Sequence, residues 1–450
     1  MMAYNTYTLE SGLRIIHLPT ADNVIYCGIA VKTGTRDEQQ GQEGLAHFCE
    51  HLAFKGTSRR SAVQIINALE GVGGELNAFT NKEDTVYYCA ILRDHFRKAV
   101  DVLCDIVFNS THPQAEVEKE REVVCDEIES YEDSPAELIY DDMENLLFEG
   151  HPLGHNILGT SGQLRGYSHD DTQRFVRRHY RPDNCVFFAS GNIDFHLLVR
   201  LLQARGERLE ARGERLEDRG ERLEVRGERI VSGVGEESAL SPLTPHPSPL
   251  TAHLSPLTPH PSPLASHPSP LVIRHRGTHQ AHVMIGALAY PADDRRRWSL
   301  YLLNNILGGP GLNSRLNLVL RERNALVYTV ESAMCCYSDT GLWSVYFGCD
   351  PQDVDCCLHL VRRELDRLVD KPLSDAQMRR AKQQLQGQLA IASDNREQFA
   401  LDFAKNYLHS GKLRDLSDIM RHIDTLTAAS LQQTAQEIMA EERLTTLIYQ

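Results

Sequence analysis

A tract of short repeats between residues 205 and 270 divides the 450-residue chain into two parts. It begins with the heptads RGERLEA, RGERLED, RGERLEV and RGERIVS, and continues with Ser-Pro-Leu, Thr-Pro-His and Pro-Ser-Pro units. Each heptad has one recurring apolar residue and one glycine, whereas a coiled coil needs two apolar positions and glycine weakens a helix. The Pro/Ser/His units cannot form a hydrophobic core. We therefore predict a disordered linker at 204–271 between two globular domains, 1–203 and 272–450.

The two flanking parts contain the same kinds of secondary structure in a similar order. Runs rich in β-branched and apolar residues predict strands at 23–32, 85–92, 184–190, 281–289 and 342–348. Apolar residues at helical spacing predict helices at 44–54, 62–70, 115–131, 298–307, 312–323, 352–369 and 375–393. The similar size and element order of the two parts suggest the duplication of one domain.

The overall charge restricts the class of partner. The formal net charge is −15, and nucleic-acid phosphates repel so acidic a protein, so we expect no nucleic-acid partner. No apolar run approaches the roughly 18–20 residues that cross a bilayer. The N-terminal segment lacks the basic and apolar regions of a signal peptide. We expect a cytoplasmic protein with no membrane partner. The 11 cysteines, without a CxxC pair, are expected to be free thiols.

The sequence His47-Phe48-Cys49-Glu50-His51 is an HxxEH motif within the helix predicted at 44–54. Residues four apart lie on one helix face, so His47 and His51 can direct two imidazoles at one cation. Imidazole nitrogens suit zinc, which has three protein ligands and a water in catalytic sites. Glu50 lies beside the metal on the same side and can accept a proton from that water. The motif predicts a zinc hydrolase with Glu50 as general base.

A third ligand is expected from the acidic helix predicted at 115–131. Glu120, Glu127 and Tyr131 share one face of that helix, because they are separated by seven and by four residues. Glu127 is therefore able to ligate, with Glu120 two turns away on the same side. The spacing alone does not choose Glu127 over Glu122 or Glu129.

Several motifs in a fixed order give the chain a resemblance to a known family. They are GLAHFCEHLAFKGT, GGELNAFTNKEDTVYY, EREVVCDEIESYEDSP, HPLGHNILGT and LNSRLNLVLRERNALVY. In these motifs the chain resembles the pitrilysin/insulinase family of zinc peptidases, and most of all its branch with mitochondrial processing peptidase. The resemblance covers residues 5–203 and 272–450. It implies an α+β fold of two similar domains, each a mostly antiparallel sheet flanked by helices, which together enclose a peptide chamber.

The resemblance also implies roles for residues of the first domain. Glu127 corresponds to the third zinc ligand, and together with His47 and His51 it would hold one Zn²⁺ per chain. Glu120 corresponds to a carboxylate that supports the site and assists catalysis. Asn77 corresponds to a residue that binds the substrate backbone or supports the zinc site.

In the second domain, Arg321 and Tyr328 correspond to an Arg/Tyr pair that contacts substrate across the cleft. A guanidinium and a phenol can hydrogen-bond the substrate carbonyl and stabilise an oxyanion. Asn324 is expected to end the preceding helix in the left-handed conformation, so that Tyr328 points back toward Arg321. One chain carries both the zinc motif and this pair, which favours a self-sufficient enzyme. We expect a homodimer, or a pairing with a homologous subunit.

The function predicted from these residues is a zinc metalloendopeptidase that hydrolyses short or unfolded peptides. The main alternative is a catalytically inactive scaffold or assembly subunit of the same family. A second alternative is a metal-storage or sensor protein that uses the histidines of the linker. Loss of bound zinc on deletion of residues 205–270 would favour the second alternative, because a peptidase would keep its zinc.

Overall fold

The computed structural model describes residues 4–205, 271–412 and 416–450. The described residues belong to one compact unit that contains two β-sheets. The linker predicted at 204–271 lies outside the described residues, except at its two ends. Residues 204 and 205 still belong to a helix, and Leu271 begins a strand.

The first half of the chain forms a six-stranded sheet. Its strands are β1 (Asn5–Thr8), β2 (Arg14–Pro19), β3 (Val24–Val31), β4 (Glu75–Thr80), β5 (Thr85–Leu92) and β6 (Cys185–Gly191). They lie in the order β1-β2-β6-β3-β5-β4, and only β2 and β6 are parallel. The central strands β3 and β6 are continuous apolar runs because both of their faces are covered.

Eight helices accompany this sheet within residues 4–205. They are α1 (Leu45–Ala53), α2 (Ala62–Glu70), α3 (Phe96–Phe108), α4 (Gln114–Glu132), α5 (Pro135–Leu147), α6 (Ser161–Gly166), α7 (His169–His179) and α8 (195–205). Most of them pack on one face of the sheet and form the main core of the first half with it.

The second half forms a five-stranded sheet. Its strands are β7 (Leu271–Arg274), β8 (Ala281–Ala289), β9 (Val327–Cys336), β10 (Gly341–Cys349) and β11 (Thr445–Tyr449). They lie in the order β7-β11-β8-β10-β9, and only β7 and β11 are parallel. The helices are α9 (Arg297–Gly308), α10 (Val354–Asp370), α11 (Asp375–Ala392), α12 (Arg396–Ser410), α13 (Leu416–Thr425) and α14 (Ala428–Ile438). A π-helical turn covers Asn317–Glu322.

Apart from the short edge strand β1, the two sheets have the same connectivity. If the strands β2–β6 and β7–β11 are each numbered from one to five, both sheets have the order 1-5-2-4-3. Strands one and five form the parallel pair in both sheets. The predicted fold, two similar α+β domains with mostly antiparallel sheets flanked by helices, is confirmed. The shared connectivity also supports the duplication suggested by the sequence.

Each half covers one face of the other half's sheet with a helix. From the first half, α5 packs on the second sheet, where Ile139 and Met143 meet the buried Met284. From the second half, α12 packs on β3 and β6 of the first sheet, where Ala404 lies against Phe188. Separating the halves would expose both apolar faces to water, which is unfavourable in proportion to the area exposed. The exchanged helices therefore tie the two halves together.

The predicted elements agree closely with the structure. The strands predicted at 85–92 and 281–289 and the helix at 62–70 have the observed bounds, and most others differ by one or two residues. The helix predicted at 312–323 is shorter and covers residues 315–322. All 11 cysteines lie in the described ranges and are free thiols. Among the helices described, none is long and apolar enough to cross a membrane.

Candidate metal centre

The N-terminus of α1 is held by a carboxylate from the preceding loop. Glu38 accepts hydrogen bonds from the backbone N–H of Gly44 (3.0 Å) and of Ala46 (2.7 Å). The first N–H groups of a helix have no partner within the helix, and Glu38 satisfies two of these donors. The Nε2 atom of His155 lies 3.0 Å from the same carboxylate. Burial raises the pKa of Glu38, and these hydrogen bonds oppose that rise.

Two glycines allow the loop that contains His155 to approach α1. Gly44 has a φ of 89° and Gly159 a φ of 66°, both in the left-handed region. A Cβ atom on Gly44 would lie 2.4 Å from the carbonyl oxygen of Leu158, and one on Gly159 would lie 2.2 Å from that of Glu43. Neither position accepts a side chain without moving the backbone. The motifs GLAHFCEHLAFKGT and HPLGHNILGT therefore meet in the structure through these two glycines.

Helix α1 is buried among α4, α7 and β4. Its apolar residues Leu45, Phe48 and Leu52 belong to the first-half core. His47 and Glu50 are only 8% and 7% exposed. Two polar side chains are therefore held in an apolar setting, which is unfavourable unless they have partners. Packing holds both side chains at these positions, and the Nδ1 atom of His47 has no hydrogen-bond partner among the described residues.

The side chains of His47, His51 and Glu127 converge at the junction of α1 and α4. The Glu127 oxygens lie 3.9 Å from Nε2 of His47 and 3.4 Å from Nε2 of His51. One potential ligand atom from each residue lies within 4.8 Å of the other two. Glu122 and Glu129 are exposed and, among the described residues, form no ion pair with either histidine. Of the three carboxylates that the spacing left open, Glu127 is the one placed beside the histidines.

These three side chains fit the requirements of a zinc ion. Ligand bonds of ~2.1 Å in a tetrahedron place two ligand atoms about 3.4 Å apart, close to the separations between Glu127 and the histidines. Burial, with the nearby His51, lowers the pKa of His47 to about 3, so His47 is the neutral imidazole that a metal ligand must be. The Glu127 side chain is 44% exposed, so the centre is open to water on that side.

A second carboxylate fixes the orientation of His51. The Nδ1 atom of His51 lies 3.0 Å from Glu120, and the Nζ atom of Lys55 lies 2.7 Å from the other oxygen of Glu120. Burial alone would raise the pKa of Glu120, but the hydrogen bonds from His51 and Lys55 outweigh it and keep this pKa low. With Nδ1 donating to Glu120, Nε2 is free to ligate a metal. This carboxylate–histidine arrangement is common behind metal ligands.

Among the described residues, Glu50 has one hydrogen-bond partner on another element. Thr80, the last residue of β4, donates from Oγ1 to Glu50 at 2.6 Å. Burial raises the pKa of Glu50 and the charge of Glu127 adds to the rise, whereas the hydrogen bond from Thr80 and the charge of His51 oppose it. The net effect is a raised pKa, which suits a carboxylate that accepts a proton and later returns it.

We expect Thr80→Val to lower kcat/KM for peptide hydrolysis about tenfold while zinc content stays unchanged. Valine has nearly the shape of threonine but cannot donate to Glu50, so the carboxylate loses its orientation. The measurement is steady-state kinetics together with metal analysis. Thr80→Ser, which keeps the hydroxyl, is the control and should retain most of the activity. Equal activities of the valine and serine variants would show that Thr80 has only a packing role.

Arg321 and Tyr328 border one groove in the second half. The groove has a volume of about 510 Å³, and its lining residues lie between 301 and 392. Tyr328 is 81% exposed. The structure therefore brings Arg321 and Tyr328 to one surface, but the metal-centre residues do not line that surface.

The left-handed turn after the helix that bears Arg321 lies one residue later than predicted. Asn324 caps the helix with its side chain, which donates to the carbonyl of Val319 at 2.7 Å. Asn324 marks the end of the helix as predicted, but the residue with positive φ is Ala325, at 52°, so the left-handed conformation predicted for Asn324 was wrong. A π-helical turn contains more residues than an α-helical turn. The chain therefore reverses its direction later in the sequence than an α-helix would allow.

Asn77 is exposed on β4, which pairs with β5 on one side only among the described strands. It is three residues from Thr80, and because side chains alternate along a strand, it points to the opposite face. Asn77 is therefore not placed with Glu50, and a substrate-binding role for it stays a prediction.

Three residues that contact the site were not singled out from the sequence: Glu38, Lys55 and Thr80. Lys55 follows His51 by four residues, which places both on the same face of the chain. This spacing could have predicted that Lys55 lies near the site. Thr80 lies in the motif that contains Asn77. Glu38 precedes the helix by several residues and lies outside the usual capping positions. No sequence pattern therefore predicts its contact with the helix.

Two models of known families match the sequence. The model "Insulinase (Peptidase family M16)" matches residues 15–161, and "Peptidase M16 inactive domain" matches residues 167–385. An uncharacterized zinc protease of Streptomyces coelicolor is 32% identical over 96% of this chain and 86% of its own length. The uncharacterized zinc protease YmxG of Bacillus subtilis is 29% identical over 98% of this chain and 97% of its own length.

Solved structures share the same fold. A protease from Helicobacter pylori superposes with a TM-score of 0.83 at 20% identity, over the whole of both chains. A structure from Pseudomonas fluorescens described as a peptidase M16 inactive domain has a TM-score of 0.80 at 16% identity, over 99% of this chain and 97% of that one.

Proposed function

This chain belongs to the insulinase family of peptidases (M16), as its resemblance to known motifs predicted, and on that basis we propose that it is a zinc metalloendopeptidase. Its substrates are short or unfolded peptides. The observation that carries the proposal is the convergence of His47, His51 and Glu127 beside the buried carboxylate of Glu50. A closer kinship with mitochondrial processing peptidase stays a prediction.

His47, His51 and Glu127 would hold the zinc, with Glu120 keeping His51 in the tautomer that leaves Nε2 free. A zinc ion there would supply a Lewis acid that lowers the pKa of a water and polarises a carbonyl. The carboxylate of Glu50 accepts the proton that the water loses as it attacks the peptide carbonyl. The same carboxylate then gives that proton to the leaving amine nitrogen. Thr80 keeps Glu50 in place for both transfers.

The duplicated fold supports the proposal of one zinc per chain. In the first half, α1 follows β3, which is the second strand in the shared numbering. In the second half, α9 follows β8, which is also the second strand in that numbering. The sequence of α9, RWSLYLLNNILG, contains no histidine, aspartate or glutamate. The counterpart of the HxxEH helix therefore offers none of the residue types proposed to bind zinc.

In the proposed mechanism, Arg321 and Tyr328 bind the peptide and stabilise the oxyanion. Their groove includes Glu331, which accepts a hydrogen bond from Tyr140 on α5. Helix α5 follows α4, the helix that bears Glu127, after a short turn. This contact connects the substrate groove to the helix that directly follows the one carrying the proposed third ligand.

We expect Tyr328→Phe to reduce kcat about 10²–10³-fold, because it removes one hydrogen-bond donor from the reacting carbonyl. Zinc content and thermal stability should not change, since this side chain is exposed and belongs to the other half. Tyr7→Phe, at an exposed tyrosine of β1, is the matched control and should have normal turnover. Unchanged hydrolysis in both Tyr328→Phe and Arg321→Ala would show that the pair is structural and that another subunit completes the site.

The experiment that tests the proposed function is a digest of unfolded peptides by the purified chain. We expect cleavage of a mixture of peptides without stable structure, and little cleavage of a folded, disulfide-bonded protein. A zinc chelator should stop the cleavage, and added zinc should restore it. If a zinc-loaded chain cleaves no peptide, the alternative of an inactive scaffold or assembly subunit is favoured. The cytoplasmic location, and a homodimer or homologous partner subunit, remain predictions.

A further inference from the structure

A second pocket lies on the other side of the segment that bears Arg321. It has a volume of about 400 Å³ and is lined by residues of the π-helical segment, the end of α10 and the start of α11. Four of its side chains are cationic: Arg315, Arg323, Arg367 and Lys371. One carboxylate, Glu364, faces them, and it is paired with Arg367. A surplus of positive charge is therefore concentrated in one concavity of a chain whose net charge is −15.

Arg315 lacks the partners that a partly buried guanidinium normally has. In the described part of the chain, no hydrogen bond or ion pair joins it to another residue. Burial lowers its pKa, Arg367 lowers it further by repulsion, and Glu364 only partly offsets these effects. An unpaired charge held among like charges costs stability. Such local conflicts are expected at functional sites, where a ligand supplies the missing partner.

The backbone adds further positive potential to the pocket. Helix α11 begins beside it at Ser374 and Asp375, and Gln377 in the first turn lines it. The N-terminus of a helix carries a partial positive charge that favours anions, although here Ser374 already caps the N–H of Gln377 and Asp375 places a carboxylate in the first turn. Guanidinium groups suit phosphate oxygens in particular, because they donate two parallel hydrogen bonds.

We propose that this pocket binds a diphosphate-type anion, and that the bound anion stabilises the segment that carries Arg321. The four cationic side chains that line the pocket exceed what one phosphate group can pair with, which favours two linked phosphoryl groups over one. Arg315 and Arg323 flank the π-helical turn, where the N–H of Arg323 bonds the carbonyl of Leu318 at 3.1 Å. An anion held by both arginines would restrict this turn. π-Helical turns often occur at functional sites.

The test is isothermal titration of the full, zinc-loaded chain with pyrophosphate at constant ionic strength. We expect one pyrophosphate per pocket, bound more tightly than orthophosphate. Arg315→Gln combined with Arg367→Gln should weaken binding at least tenfold, because each substitution removes a charge-assisted contact. Arg363→Gln is the control, since Arg363 is an exposed arginine of α10 outside the pocket. A loss of affinity in the control as large as in the double variant would overturn the proposal.

Hydrogen exchange then locates the effect. Pyrophosphate should slow amide exchange within residues 315–326, and the double variant should lose this protection. If the double variant does not fold, Lys371→Gln with Arg367→Gln tests the same pocket, because both side chains are exposed. The proposal would be contradicted if none of these pocket substitutions weakened pyrophosphate binding. It would also be contradicted if slower exchange appeared only around the zinc ligands, because pyrophosphate would then act by chelating the metal.

Discussion

Replacement of His47 and His51 by alanine together is expected to remove bound zinc and to reduce peptide hydrolysis to the background rate. The two imidazoles provide two of the three proposed ligands, and alanine supplies no lone pair in their place. Glu127 alone would not hold a zinc ion against competing water. Metal analysis of the purified variant and a peptide assay measure the two losses. Thermal unfolding shows whether the variant still folds.

The carboxylates of α4 provide controls for the ligand assignment. Glu127→Gln should also weaken zinc binding strongly, because a neutral amide is a poor zinc ligand. Glu122→Gln and Glu129→Gln remove the same charge from exposed positions of the same helix and should keep a full complement of zinc. Stoichiometric zinc in the double histidine variant would refute the metal centre. Full zinc affinity in Glu127→Gln alone would move the third ligand to a neighbouring acid.

Glu50→Gln is expected to retain zinc and to lose about 10²–10⁴-fold in kcat. General acid–base catalysis contributes an effect of this size, and a glutamine amide cannot accept the proton of the attacking water. Glutamine keeps the shape of the side chain and an oxygen that can accept the hydrogen bond from Thr80. The variant therefore tests proton transfer rather than packing.

Two measurements accompany the Glu50 variant. Zinc analysis should give the wild-type content, and the affinity for an uncleaved peptide should stay within a few-fold of wild type. Glu70→Gln, the same substitution at an exposed position of α2 outside the metal centre, is the control for the loss of charge and should have normal turnover. Near-normal turnover of Glu50→Gln would show that water is activated by another group, and the role of Glu50 would be withdrawn.

The helix that carries the HxxEH motif could be predicted from sequence because its information is local. The spacing of His47, Glu50 and His51 is fixed by the period of one helix. The position of Glu127 could not be chosen in this way, since Glu122 and Glu129 are on the same helix and its rotation depends on how α4 packs against α1. The hydrogen bond from Thr80 to Glu50 joins a strand to a helix 30 residues earlier, and no local pattern encodes it.

The arrangement of the two halves was also only partly predictable. The alternation of strands and helices indicated two similar units, and the shared strand order agrees with that interpretation. The exchange of α5 and α12 between the halves was not predictable, because an amphipathic helix has the same pattern whichever sheet it covers. The π-helical turn at Asn317–Glu322 likewise has no sequence signature of its own, so the reversal at Ala325 was placed one residue too early.

The most direct test of the central claim is a zinc titration of the metal-free chain, followed by peptide hydrolysis at each step. The proposed centre predicts a rate that rises in proportion to added zinc and levels off at one equivalent per chain. Glu50→Gln should bind the same single equivalent with almost no hydrolysis. A rate that does not depend on zinc, or saturation that requires the histidines of residues 205–270 rather than His47 and His51, would contradict the assignment of this chain as a zinc peptidase.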